Sequence, residues 1–136
     1  MHETFDHTAD VGLRITAATL DELFAEAGRG FLSLLVDNPE AVRPERSFEL
    51  EIHGERRDDL LFDWLGELLH HFESERLLPC EFDVEVSQTG LKATIQGEPM
   101  DASRHRMASE VKAITYHQLR VVQTDGGWEA AVIVDI

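Results

Sequence analysis

The chain has 136 residues, with 12 Lys+Arg against 27 Asp+Glu, and a formal net charge of -15. That length suits one domain, 1–136, able to bury its own core. The acidic balance disfavours a strong direct grip on RNA or DNA, because that affinity comes from neutralising phosphates. It suits a basic protein partner, cations held by clustered carboxylates, or simply a soluble surface.

Taken in order, the first dense stretch is Asp6-His7-Thr8-Ala9-Asp10-Val11-Gly12, where two carboxylates, an imidazole and a hydroxyl precede an apolar run. Val11, Leu13 and Ile15 then alternate with Gly12, Arg14 and Thr16, the period-two pattern of a half-buried strand. Thr19-Leu20-Asp21-Glu22 reads as a capping box, with the Thr19 hydroxyl accepting an amide and Glu22 reaching back. Leu20, Leu23, Phe24, Ala27, Phe31, Leu34 and Leu35 predict one face of a helix that stops at Asp37-Asn38-Pro39. Gly28 and Gly30 inside it lower helix propensity and point to close packing against another element.

Phe48, Leu50 and Ile52 predict a second strand. A second helix begins near Asp58-Asp59, whose carboxylates suit the positive end of its dipole. Its buried stripe is Leu60, Leu61, Trp64, Leu65, Leu68, Leu69 and Phe72. His70 and His71 lie about 100° apart on that helix and do not readily share one metal. The run Phe82 to Val86, the turn Gln88-Thr89-Gly90 and the run Leu91 to Ile95 predict a hairpin. Glu98 to Arg106 is irregular, with Pro99, Asp101, Arg104 and His105. Asp125-Gly126-Gly127 then turns the chain into a last strand, Trp128 to Val134. Together these elements predict an α+β fold, with two amphipathic helices packed on one face of a mixed, mostly antiparallel sheet of about six or seven strands. No segment reads as a membrane span or signal peptide, and the lone Cys80 offers no internal disulfide, so the expected location is cytoplasmic.

Three places carry chemistry: the opening stretch, the run Glu110 to His117 with Lys112, Tyr116 and His117, and the end, Val132-Ile133-Val134-Asp135-Ile136. If the last strand is docked, Asp135 and the terminal carboxylate of Ile136 give oxygen donors of the kind hard divalent cations select. If it is not, Asp135 is a solvated chain end. Lys112 with Tyr116 is open to two readings, a site or a buried polar network. A facial set of His7, His117 and Asp10 depends on tertiary folding. There is no phosphate-cradling glycine loop, the histidines lack zinc-like spacing, and Cys80 has no neighbouring histidine to activate it.

The opening Asp6 to Gly12 motif, Asp63-Trp64-Leu65, Gly97-Glu98-Pro99, Glu110 to His117 and the terminal Asp135-Ile136 together resemble the archease family. The motifs fall in the family's order along essentially the whole chain. The resemblance implies a small acidic protein that assists an RtcB-type RNA ligase in tRNA splicing or RNA repair. Its implied action is to promote guanylylation of the ligase's active-site histidine and multiple turnover, without catalysis of its own. It also implies a divalent-cation site, typically calcium, made by Asp10, Asp135 and the terminal carboxylate of Ile136. Asp6, His7, Lys112, Tyr116 and His117 match the motifs and are candidates to line the same pocket. A stand-alone metal-dependent phosphohydrolase and a general acidic chaperone are the competing readings.

Overall fold

The computed structural model describes residues 1–7 and 10–136, with the side chains of Asp6 and His7 outside the description. Strand β2 (Asp10–Ala17) alternates because only one of its faces is buried. Leu13 and Ile15 are fully enclosed while Arg14 is exposed. Its partner β1 (His2–His7) runs antiparallel from His2 opposite Ile15 to His7 opposite Asp10. Strand β1 has no apolar alternation to announce it, since Phe5 is its one large hydrophobic residue. It forms at a sheet edge by backbone pairing, where a buried face is not required.

Helix α1 (Leu20–Leu35) starts where the sequence indicates. The Thr19 hydroxyl accepts the Glu22 amide at 3.2 Å, a cap of about 1 kcal/mol. The return half of the expected box does not form, because the Glu22 carboxylate accepts from Arg29 at 2.8 Å. The two glycines mark close approaches on different sides. A Cβ on Gly28 would lie 2.5 Å from the Phe82 ring, and one on Gly30 would lie 3.3 Å from His2 and Leu13.

After a short 3-10 turn, Pro39–Ala41, come β3 (Arg46–His53) and helix α2 (Arg57–Glu75). Trp64 is the largest fully buried side chain, and its indole N–H donates to the Phe24 carbonyl at 2.9 Å, tying α2 to α1. Strands β4 (Leu77–Ser87) and β5 (Gly90–Pro99) are the expected hairpin. A two-residue β6 (Ala113–Ile114) follows, then β7 (Arg120–Thr124), which turns into β8 (Gly127–Asp135).

The α+β class is as the sequence indicates, with two helices and eight strands among the described residues. The sheet differs from expectation: it is two antiparallel sheets. One runs β1-β2-β8-β6 with β7 also on β8, and the other β3-β5-β4. Alternation reports that a strand has one buried face, but not which strand it pairs with. Helix α1 touches both sheets, through Gly30 on β1 and β2 and through Gly28 on β4. One apolar cluster joins Leu13 and Val132, Phe24 and Trp64, and Ile95 and Val84. Among the described residues, no helix is long and apolar enough to cross a membrane.

Candidate functional site

Strand β8 lies directly beside β2, and Asp135 is the register partner of Asp10. Residues directly opposite in an antiparallel pair project from the same face, with Cβ atoms about 4.5–5.5 Å apart. Val11, Leu13 and Ile15 pair with Val134, Val132 and Ala130 on the core face, so Asp10 and Asp135 share the other one. Both are half-buried. The row continues on either side, with His7 opposite Asp10 in β1 and Ala113 opposite Asp135 in β6.

Local packing builds the floor of this row. A Cβ on Gly12 would overlap the Phe5 ring, and the Arg14 guanidinium sits 5.3 Å from the centre of that ring. Gly12 is therefore a place where the aromatic ring lies directly on the strand. Ile133, opposite Gly12, is 1% exposed although it lies outside the main core cluster. Its carbonyl accepts both the amide and the hydroxyl of Thr115, at 3.1 and 2.9 Å.

The run 110–117 meets β8 here. The Lys112 amide donates to the Asp135 carbonyl at 2.8 Å, while its side chain is exposed. Tyr116 is 61% exposed and stacks on Phe62 of α2, with ring centres 3.9 Å apart. Lys112 and Tyr116 thus do not form a buried polar network: both face outward. The His117 amide donates to the Thr115 hydroxyl at 3.2 Å. Ile136 is half-buried against the core cluster. The side chains of Asp6 and His7 lie outside the described residues, as do Thr8 and Ala9.

Two carboxylates side by side on one face form an all-oxygen donor set, which is what a hard divalent cation takes. Among the described residues, no three His, Cys, Asp or Glu side chains gather closely enough to hold a metal. His70 and His71 sit apart from this row. Their rings are 5.9 Å apart and nearly perpendicular, and His71 stacks on Phe48.

One group was not legible as a cluster. Glu98, His105 and Arg104 come together at the end of β5, where Glu98 is 2% and His105 3% exposed. The available signal was a glutamate between Gly97 and Pro99, with an arginine and a histidine a few residues on.

These features define a small acidic α+β protein with two antiparallel sheets, whose first hairpin and last strand share one ladder. A profile of the Archease protein family (MTH1598/TM1083) matches residues 2–136. "Protein archease" of Methanopyrus kandleri is 38% identical over 138 residues, covering 98% of each chain. "Protein archease" of Methanosarcina mazei is 34% identical over 140 residues, covering 99% of this chain and 95% of the relative. The solution structure of Methanobacterium thermoautotrophicum protein 1598 superposes with a TM-score of 0.84 at 32% identity, over 99% of this chain and 98% of that one. A Thermotoga maritima crystal structure, described as an archease and possible chaperone, shares the fold with a TM-score of 0.71 at 21% identity, over 100% of this chain and 98% of that one. The chain belongs to the archease family.

Proposed function

We propose that this chain is an accessory activator of an RtcB-type RNA ligase in tRNA splicing or RNA repair. It promotes guanylylation of the ligase's active-site histidine and supports multiple turnover, with no catalysis of its own, and it works in the cytoplasm. The observation that supports this best is the direct pairing of Asp10 with Asp135 on the outward face of β2 and β8. With the Ile136 terminal carboxylate they would hold a divalent cation, calcium being the ion the family resemblance implies. When bound, that cation supplies positive charge that can polarise a phosphate oxygen. The protein's own part is to present the two carboxylates on one ladder and to leave the exposed Lys112, whose amide bonds the Asp135 carbonyl, as a contact for the ligase. The -15 net charge favours steering toward a basic partner surface.

The test is a guanylylation assay with ligase, GTP and cleaved RNA, run with the wild-type chain, Asp10→Ala and Asp135→Ala. Stimulation by the wild type, lost in both folded variants, is the expected result. Wild-type stimulation by either variant would sink the reading. Phosphate release from any RNA or nucleotide in the absence of ligase would instead favour a stand-alone phosphohydrolase.

A further inference from the structure

A buried ionic cluster ties the irregular segment after β5 back to the end of that strand and to the loop before β3. The Glu98 carboxylate accepts from the Arg104 guanidinium and from the Arg43 amide. His105 Nδ1 accepts the Asp101 amide at 2.9 Å. That bond puts the proton of the neutral ring on Nε2, which faces Glu98 Oε2 at 3.5 Å without a full hydrogen bond. The segment 100–109 then crosses the C-terminal end of α1 as a strap. Asp37 donates its amide to the Arg106 carbonyl, and Ala108 and Ser109 donate theirs to the Leu35 and Leu34 carbonyls, at 2.8, 2.8 and 3.0 Å. The Asn38 side chain bridges the Arg104 carbonyl and the Arg106 amide, at 2.9 Å each. Beyond the strap, Lys112 reaches β8.

We propose that His105 is a proton-sensitive latch on this strap: the neutral ring holds it closed against α1, and protonation opens it.

The chemistry follows from the inventory of ring atoms. An imidazolium has two donors and no acceptor, so a proton on Nδ1 displaces the Asp101 amide. The turn from Asp101 to His105 keeps the bonds from the Arg104 and His105 amides to the Asp101 carbonyl, at 3.0 and 2.8 Å, and loses the reciprocal one to the ring. The charged groups facing the ring are Glu98 from β5, Asp101 and Arg104 from the strap, and Arg43 from the loop before β3. Glu98 is already engaged by Arg104 and by the Arg43 amide, which limits what it offers a second cation. Asp101 favours the charged ring, but its carboxylate is exposed and held by the Ser103 hydroxyl and amide.

Burial first, then Arg104, holds the ring below the usual histidine range, with Asp101 pulling the other way. The closed strap therefore refuses a proton that the open strap accepts. Closure is strongest above about pH 6.5 and weakens as pH falls, by up to about tenfold in the opening equilibrium per unit. This latch stands apart from the ligase reading, because its test needs neither cation nor ligase.

The test is native-state hydrogen exchange of the Arg106, Ala108 and Ser109 amides at pH 7.5 and 5.5, corrected for intrinsic exchange. The non-titrating His105→Gln, whose amide can accept from Asp101 and donate toward Glu98, is measured beside it. In the wild type, protection of these amides should fall by up to about tenfold at the lower pH, while Leu13 and Val132 amides change less. In His105→Gln the fall should vanish. Equal protection at both pH values, or the same fall in His105→Gln, would overturn the latch. Should the variant not fold, direct titration of the wild-type His105 ring by NMR decides: a value at or above about 6.5 refutes it and a lower value upholds it.

Discussion

Asp10 and Asp135 stand directly opposite each other on β2 and β8, although they come from opposite ends of the chain. Side chains directly opposite in an antiparallel pair lie close enough to act on one ligand together. On the proposed function, this placement lets the two carboxylates bind one divalent cation together.

The first prediction tests this pair without any partner. The measurement compares the wild type with Asp135→Asn in cation-free buffer and in calcium. Calcium at about a hundred times its dissociation constant should stabilise the wild type by roughly 2.7 kcal/mol and the variant hardly at all. Scanning fluorimetry with and without calcium reads both effects. A wild type indifferent to calcium and to magnesium would remove the cation from the proposal.

The glycines supply an internal contrast. A Cβ on Gly97 would run into the Leu78 backbone carbonyl, beside the irregular register between Pro79 and Glu81. Backbone cannot swing aside as a side chain does, so Gly97→Ala should cost about 1–3 kcal/mol or more. Gly66, within α2, has nothing within 4 Å of its would-be Cβ. Gly66→Ala should therefore stabilise the protein by up to about 1 kcal/mol. Urea midpoints of the two variants should move in opposite directions.

Asp63 is a local electrostatic cost. Burial, then Asp59 and Glu67, raises its carboxyl above the usual value of 3.8. A raised carboxyl pKa means that its ionised form opposes folding, so the penalty exists at neutral pH and fades as the group protonates. Asp63→Asn should raise the melting temperature at pH 7 by relieving two same-charge i,i+4 pairs, each about 0.2–0.5 kcal/mol. The gain should shrink toward pH 4. A gain that persists unchanged at pH 4 would assign it to something other than charge.

Trp64→Phe removes the indole donor from the Phe24 carbonyl and leaves part of a fully buried volume empty. The hydrogen bond contributes about 1 kcal/mol and the cavity adds to it, for roughly 2–3 kcal/mol together. Chemical denaturation gives the value. On the proposed function, the variant below its own melting temperature should stimulate a ligase as much as the wild type, since Trp64 is buried in the core.

Much of the fold was legible in local pattern. Leu13 and Ile15, the stripe from Leu20 to Leu35, Trp64 with its leucines and the hairpin about Gln88 all recur where their periodicity places them. Strand β1 was not, because an edge strand needs no apolar face and His2 to His7 provides none. The capping box was half right: Thr19 caps, but Arg29 is a stronger partner for Glu22 than a backbone amide.

The candidate site divides the same way. The sequence by itself determined the acidic character, the two helices, the alternation of the strands and the motif residues Asp10, Lys112, Tyr116 and Asp135. The first three are written in composition, period or local spacing, and the motif residues enter through the family resemblance. Tertiary structure alone decided that Asp135 faces Asp10, that Tyr116 lies on Phe62, that the strands divide into two sheets, and that Glu98 and His105 are enclosed. Periodicity records whether a face is buried, whereas register and burial of single polar groups depend on which distant segments pack together. The meeting of the first hairpin with the last strand is such a non-local choice, made when Leu13 and Val132 bury their side chains in the same core.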